Sequence, residues 1–144
     1  QRVALLAFGS LVTPALRAAE VLDATVADMR FVKPLDRDLI LALAQSHALL
    51  VTLEENSIAG GAGSAVAELL AEHRWVPCVH LGLPDRYLDQ AEHEVQLATC
   101  GLDASGILAQ VQDALRALDR SEEAPASPSL TRAVKPTRRR QGAL

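Results

Sequence analysis

Val3-Ala-Leu-Leu-Ala-Phe8, closed by Gly9-Ser10 and followed by Thr13-Pro14, is the stretch that decides the fold. Six consecutive apolar residues without polar alternation suit a strand buried on both faces, which is the habit of parallel sheets covered by helices. Thr13 is placed to cap a helix with Pro14 at its first position, and Leu16, Ala19 and Leu22 recur at helical spacing beyond it. The stretch is therefore one βα unit.

The unit repeats outward from there. Ala24 to Met29 forms a second short strand, and Asp36 can cap a helix over 37–46 with Leu39, Ile40 and Leu43 turned inward. Ala48 to Leu53 supplies a third strand. The polar loop Glu54-Glu55-Asn56 and the turn Gly60-Gly-Ala-Gly63 then lead into a helix of about ten residues ending near His73. Val76 to Leu81 gives a fourth strand, with Pro77 easiest to place at an edge or a strand start. A short helix over 92–100 follows, and a last helix starts at Asp103 or Ser105 with Ile107, Leu108, Val111, Leu115 and Leu118 on one face. The expected fold class is α/β: a three-layer α/β/α domain over residues 1–120 with a mostly parallel sheet of about five strands.

Composition agrees with that class. Of 144 residues 49% are hydrophobic and only 3% aromatic, so the core is built from Ala, Val, Leu and Ile. No stretch reaches the roughly 20 apolar residues needed to span a bilayer. Residues 1–120 carry 9 Lys/Arg against 16 Asp/Glu, a balance that opposes a broad nucleic-acid surface. Residues 121–144 reverse it, with Arg132, Lys135, Arg138, Arg139 and Arg140 in a Ser/Pro-rich tail expected to be disordered. Two isolated cysteines, Cys78 and Cys100, offer neither a disulfide framework nor paired ligands and fit a cytoplasmic location. The start at Gln1-Arg2 reads as that of an excised piece.

Two segments are candidates for function. Glu54, Glu55 and Asn56 run toward Gly60, Gly61, Gly63 and Ser64 where a strand end meets a helix N-terminus, the place where open α/β sheets take ligands and where free N–H groups attract anions. The spacing is no dinucleotide fingerprint, since the third glycine position is Val66, and a P-loop lysine is missing. The same glycines equally serve a tight turn, with the carboxylates solvated or paired across an interface. The second segment, from Asp28 through Arg30, Lys33 and Pro34 to Asp36, suits contact with a partner domain or a simple capped loop. His47, His73, His80 and His93 lack paired ligand spacing, and neither a nucleophile elbow nor an activated cysteine is present, so no catalytic or metal residue is assigned.

Five motifs stand in a telling order: Asp28-Met-Arg-Phe-Val-Lys-Pro-Leu-Asp36, Val51-Thr-Leu-Glu-Glu-Asn56, Gly60-Gly-Ala-Gly-Ser64, Leu81-Gly-Leu-Pro-Asp85 and Gly101-Leu-Asp103. Over about residues 3–118 the chain resembles the C-terminal, transketolase-like domain of 1-deoxy-D-xylulose-5-phosphate synthases. Leu53 and Tyr87-Leu-Asp-Gln90 are small departures from the family pattern. The resemblance implies an enzyme that condenses pyruvate with glyceraldehyde 3-phosphate with loss of carbon dioxide, its product feeding isoprenoid, thiamine and pyridoxal biosynthesis. It also implies thiamine diphosphate and magnesium bound outside this chain, and as partners the remaining domains and a second subunit. On that basis Asp28, Arg30, Lys33, Pro34, Asp36, Glu54, Glu55 and Asn56 are expected at a domain or dimer interface, and the piece alone is expected to be inactive. The same architecture would suit a transketolase or the β subunit of a 2-oxo acid dehydrogenase. A stand-alone module that binds a small anion at Gly60 to Ser64 is a different reading.

Overall fold

A computed structural model describes residues 1–73 and 76–123. Four strands form one parallel sheet: β1 (Val3–Ala7), β2 (Thr25–Asp28), β3 (Leu49–Ser57) and β4 (Cys78–Leu83). Their order is β2-β1-β3-β4. The helices are α1 (Val12–Leu22), α2 (Arg37–Ser46), α3 (Ala62–His73), α4 (His93–Thr99) and α5 (Ala104–Glu123).

The period-two alternation of strand side chains divides the core into two layers. Val3, Leu5 and Ala7 of β1, with Leu49, Val51 and Leu53 of β3, face α1 and α5. Ala4, Leu6 and Leu50 face the opposite way, against Ile40, Leu43 and Ala44 of α2 and Val66, Leu69 and Leu70 of α3. A central strand flanked by helices on both faces must be apolar at every position, which is why β1 is buried throughout. The expected three-layer α/β/α arrangement is the one found.

Several local expectations are corrected. The sheet has four strands among the described residues rather than about five, because the segments beyond Leu83 coil into α4 and α5. Thr13 is not a cap. A 3-10 turn at Gly9–Leu11 runs into α1, whose N-cap is Leu11. The helix consequently starts earlier and presents Ala15, Ala18 and Ala19 to the core, while Leu16 is 51% exposed. Small side chains let α1 lie close to the sheet and α5, and a leucine there would hold them apart. β4 starts at Cys78, leaving Pro77 outside it as the sheet's edge strand begins. Asp36 does cap α2, accepting from the Leu39 N–H at 3.1 Å, and Asp103 caps α5 through the Gly106 N–H at 2.9 Å. The last helix runs to Glu123, three residues past the expected domain limit. The basic tail lies outside the described residues.

Candidate functional site

β2 and β3 lie on either side of β1, so the chain reverses its winding direction between β1 and β3. A crevice opens at the carboxyl ends of such a pair, and it is where doubly wound sheets receive ligands. Here the crevice is a groove of about 530 Å³ whose walls include Ser10, Arg30, Lys33, Glu55, Asn56 and Gly60. The two segments singled out from sequence thus converge on one groove. Asp28, Pro34 and Asp36 line a separate depression beside it.

The polar residues Glu54-Glu55-Asn56 are strand, not loop, because β3 continues through Ser57. The β3–β4 register shifts between Leu53 and Ser57, so the strand carries an irregularity at these three residues. Such a break re-aims side chains, and sheets often carry one beside a site. Neighbouring glutamates then have opposite fates. Glu54 is 3% exposed and shares the α3-facing side of the strand with Leu50 and Thr52. Its Oε2 accepts from the Ala62 N–H at 2.7 Å and its Oε1 from the Gly63 N–H at 2.9 Å. A carboxylate against the positive end of a helix dipole is favourable, and both of its oxygens are satisfied.

The remaining N–H groups of the turn are also engaged. Gly60 N–H donates to Ser64 Oγ, Gly61 N–H to the Ile58 carbonyl, and Ser64 N–H to the Gly61 carbonyl. All five amides from Gly60 to Ser64 therefore have partners within the chain. Gly60 takes φ +76°, a left-handed value that glycine adopts without strain. Gly63 has no room for a side chain, since a Cβ there would stand 2.6 Å from both Thr52 Oγ1 and His80 Nδ1.

Thr52 and His80 extend the same polar cluster across to β4, with Oγ1 and Nδ1 2.7 Å apart. Burial pushes the His80 pKa below the ordinary value of 6.5, partly opposed by the charge of Glu54. Burial also raises the Cys78 thiol to about 12, which leaves it without nucleophilic thiolate at neutral pH. His47 and His73 sit at helix ends as the sequence suggests, each ring within hydrogen-bond distance of a carbonyl one turn back, those of Leu43 and Leu69.

Glu55 points the other way, toward the groove. It accepts a hydrogen bond from Ser10 Oγ and pairs with His93 Nε2 at the start of α4. The Ser10 hydroxyl, then the His93 contact, hold its carboxyl below the usual range. One side chain thereby ties the β1–α1 turn and the entry to α4 to the end of β3. Neither Ser10, Thr52, His80 nor His93 was assigned a role from sequence. The alternation along β3 could have sent Thr52 and Glu54 to the same face, but the partners come from remote segments and leave no local signal.

The second segment is open. Arg30 takes φ +55°, and among the described residues its side chain pairs with Asp28 at 3.4 Å. Phe31 and Val32 are 65% and 39% exposed. Among the described residues no group of three or more His, Cys, Asp or Glu side chains could hold a metal ion. With the amides of the α3 turn already engaged, the residues present do not fit a magnesium diphosphate, and no chemical step on this chain is routed through one. No helix among the described residues is long and apolar enough to cross a membrane.

The family model of the transketolase C-terminal domain matches residues 1–107. This chain belongs to the transketolase C-terminal domain family. Curated relatives of this transketolase domain are named 1-deoxy-D-xylulose-5-phosphate synthase. One from Thiobacillus denitrificans is 64% identical over 117 residues, covering 81% of this chain and 19% of the relative. Another from Chromobacterium violaceum is 58% identical over 116 residues, covering 80% and 19%. The chain thus spans about a fifth of the length of these relatives. Among solved structures, a split gene transketolase described as an inactive beta4 tetramer superposes with a TM-score of 0.74 at 38% identity, covering 80% of this chain and 39% of that one.

Proposed function

We propose that this chain is the C-terminal domain of a 1-deoxy-D-xylulose-5-phosphate synthase, contributing structure and subunit contacts to a homodimeric cytoplasmic enzyme. The observation that carries the reading is the 64% identity over 117 residues to a synthase, together with the match of residues 1–107 to the transketolase C-terminal domain model. In such an enzyme thiamine diphosphate and magnesium, held by the preceding domains, supply the carbanion chemistry that joins pyruvate to glyceraldehyde 3-phosphate. This domain has no group assigned to those steps and is inactive alone. Its contribution is the exposed face formed by Arg30, Phe31 and Val32 beside the Glu55 groove, where a neighbouring domain or subunit would cover apolar side chains. Exposed apolar residues grouped at strand ends and rimmed by charge favour this over a stand-alone module that captures anions.

The test is made on the longer gene product that carries this chain. Carbon dioxide release from pyruvate should depend on glyceraldehyde 3-phosphate, and a protein with no such turnover would overturn the assignment. Within an active enzyme, Arg30→Ala and Glu55→Ala should raise the dimer dissociation constant in sedimentation and lower turnover. Unchanged values for both would remove these residues from the interface while leaving the enzyme's identity intact.

A further inference from the structure

The crevice between β1 and β3 is where this architecture elsewhere leaves a helix N-terminus free for a phosphate or other anion. In this chain the position is filled from within. Glu54 stands on the strand, not on the helix it caps, and reaches α3 across the layer boundary, eight positions ahead of Ala62 in the chain. Ordinary caps sit at the helix start itself and accept with a short side chain. The long, almost completely buried Glu54 instead places a carboxylate beyond the first turn, in the place of a ligand. Gly61 and Gly63 leave the space it needs, because a Cβ at either would collide with it or with its neighbours Thr52 and His80.

We propose that the Glu54 carboxylate is a built-in ligand, closing from inside the anion position of the sheet and making this domain a scaffold that binds no phosphate there. The inference rests on the turn's geometry and is independent of the enzyme assigned above. Removing the side chain then uncovers a latent site of carboxylate size, lined by the Ala62 and Gly63 amides at the positive end of α3.

Chemical rescue distinguishes this from a purely packing role. Glu54→Ala, Glu54→Gln and, as a neighbouring control, Glu55→Ala are prepared in the full chain. Melting temperature and hydrogen exchange at the Ala62 and Gly63 amides are followed in sodium formate, sodium phosphate and sodium chloride at matched ionic strength. Glu54→Ala should melt lower, lose protection at both amides, and recover both properties saturably with formate as mass action on a folded-state site requires. Wild type and Glu55→Ala should respond to formate and phosphate no more than to chloride. Glu54→Gln, which keeps the size but offers one acceptor oxygen, should lose protection at one of the two amides, and it decides the matter should Glu54→Ala fail to fold. A formate response equal in wild type and Glu54→Ala, a wild-type response specific to phosphate, or full protection at both amides in Glu54→Gln would each overturn the proposal.

Discussion

The carboxyl ends of β3 and β2 border the same groove yet are finished in opposite ways. At the end of β3, Glu54, the Ser64 hydroxyl and the Ile58 and Gly61 carbonyls satisfy the amides from Gly60 to Ser64, and Thr52 and His80 carry the network to the next strand. At the end of β2, Arg30 stands in a left-handed conformation and Phe31 and Val32 remain in solvent. A buried polar network must be complete, since each unpaired group in low dielectric is expensive. An exposed loop is under no such demand, because water satisfies what the chain does not, and it can keep apolar and charged groups for a partner. The difference separates a region built for the fold from one available for contact.

The sharpest way to break the comparison is to treat the two ends alike by substitution. Glu54→Ala strands two buried amides and should cost about 3 kcal/mol of stability in urea denaturation. Gly63→Ala comes next. Its methyl group must displace both Thr52 and His80, an overpacking cost of about 2 kcal/mol after the helix preference for alanine is allowed for. A variant at either position as stable as the parent would mean that the β3 end tolerates the imperfection assumed only for β2.

Acid sharpens the contrast further. Burial depresses His80, so on acidification the unfolded chain takes up this proton before the folded one does. The His80 contribution is whole above the ordinary value of 6.5, and stability falls as pH drops from there through the depressed folded value. A His80→Gln variant should lose that part of the slope in denaturation curves taken from pH 7.5 to 5. A slope unchanged by the substitution would place its origin elsewhere. The smallest effects come from exposed ion pairs: Glu55→Ala at the end of β3 should shift the midpoint by under about 1 kcal/mol, and Arg30→Ala at the open end by under about 0.5 kcal/mol. A larger loss for Arg30→Ala would show that the β2 end is structural after all.

Much of this was legible in the sequence. The unbroken apolar run 3–8 specified a strand covered on both faces, and the Asp36 cap fixed the start of α2 at Arg37. The parallel α/β class followed from the repeated βα units, and the family resemblance from the order of the motifs. Local pattern misjudged α1, because a 3-10 entry turn shifts the helix phase and replaces Leu16 by alanines at the contact. It also stopped β3 at Leu53, since polar residues after an apolar run look like a loop until a partner for each is known.

What the sequence determined by itself rests on short-range rules: side-chain period, caps and turn residues act within a few positions and can be read there. Which of two adjacent glutamates would be buried is not such a property. Glu54 is held by amides eight and nine residues on, and Glu55 by Ser10 and His93, 45 and 38 residues away. The tertiary structure alone decided that the helix start at Ala62 meets a carboxylate of its own chain, and the reason is that desolvation of a charge depends on what the whole fold packs around it.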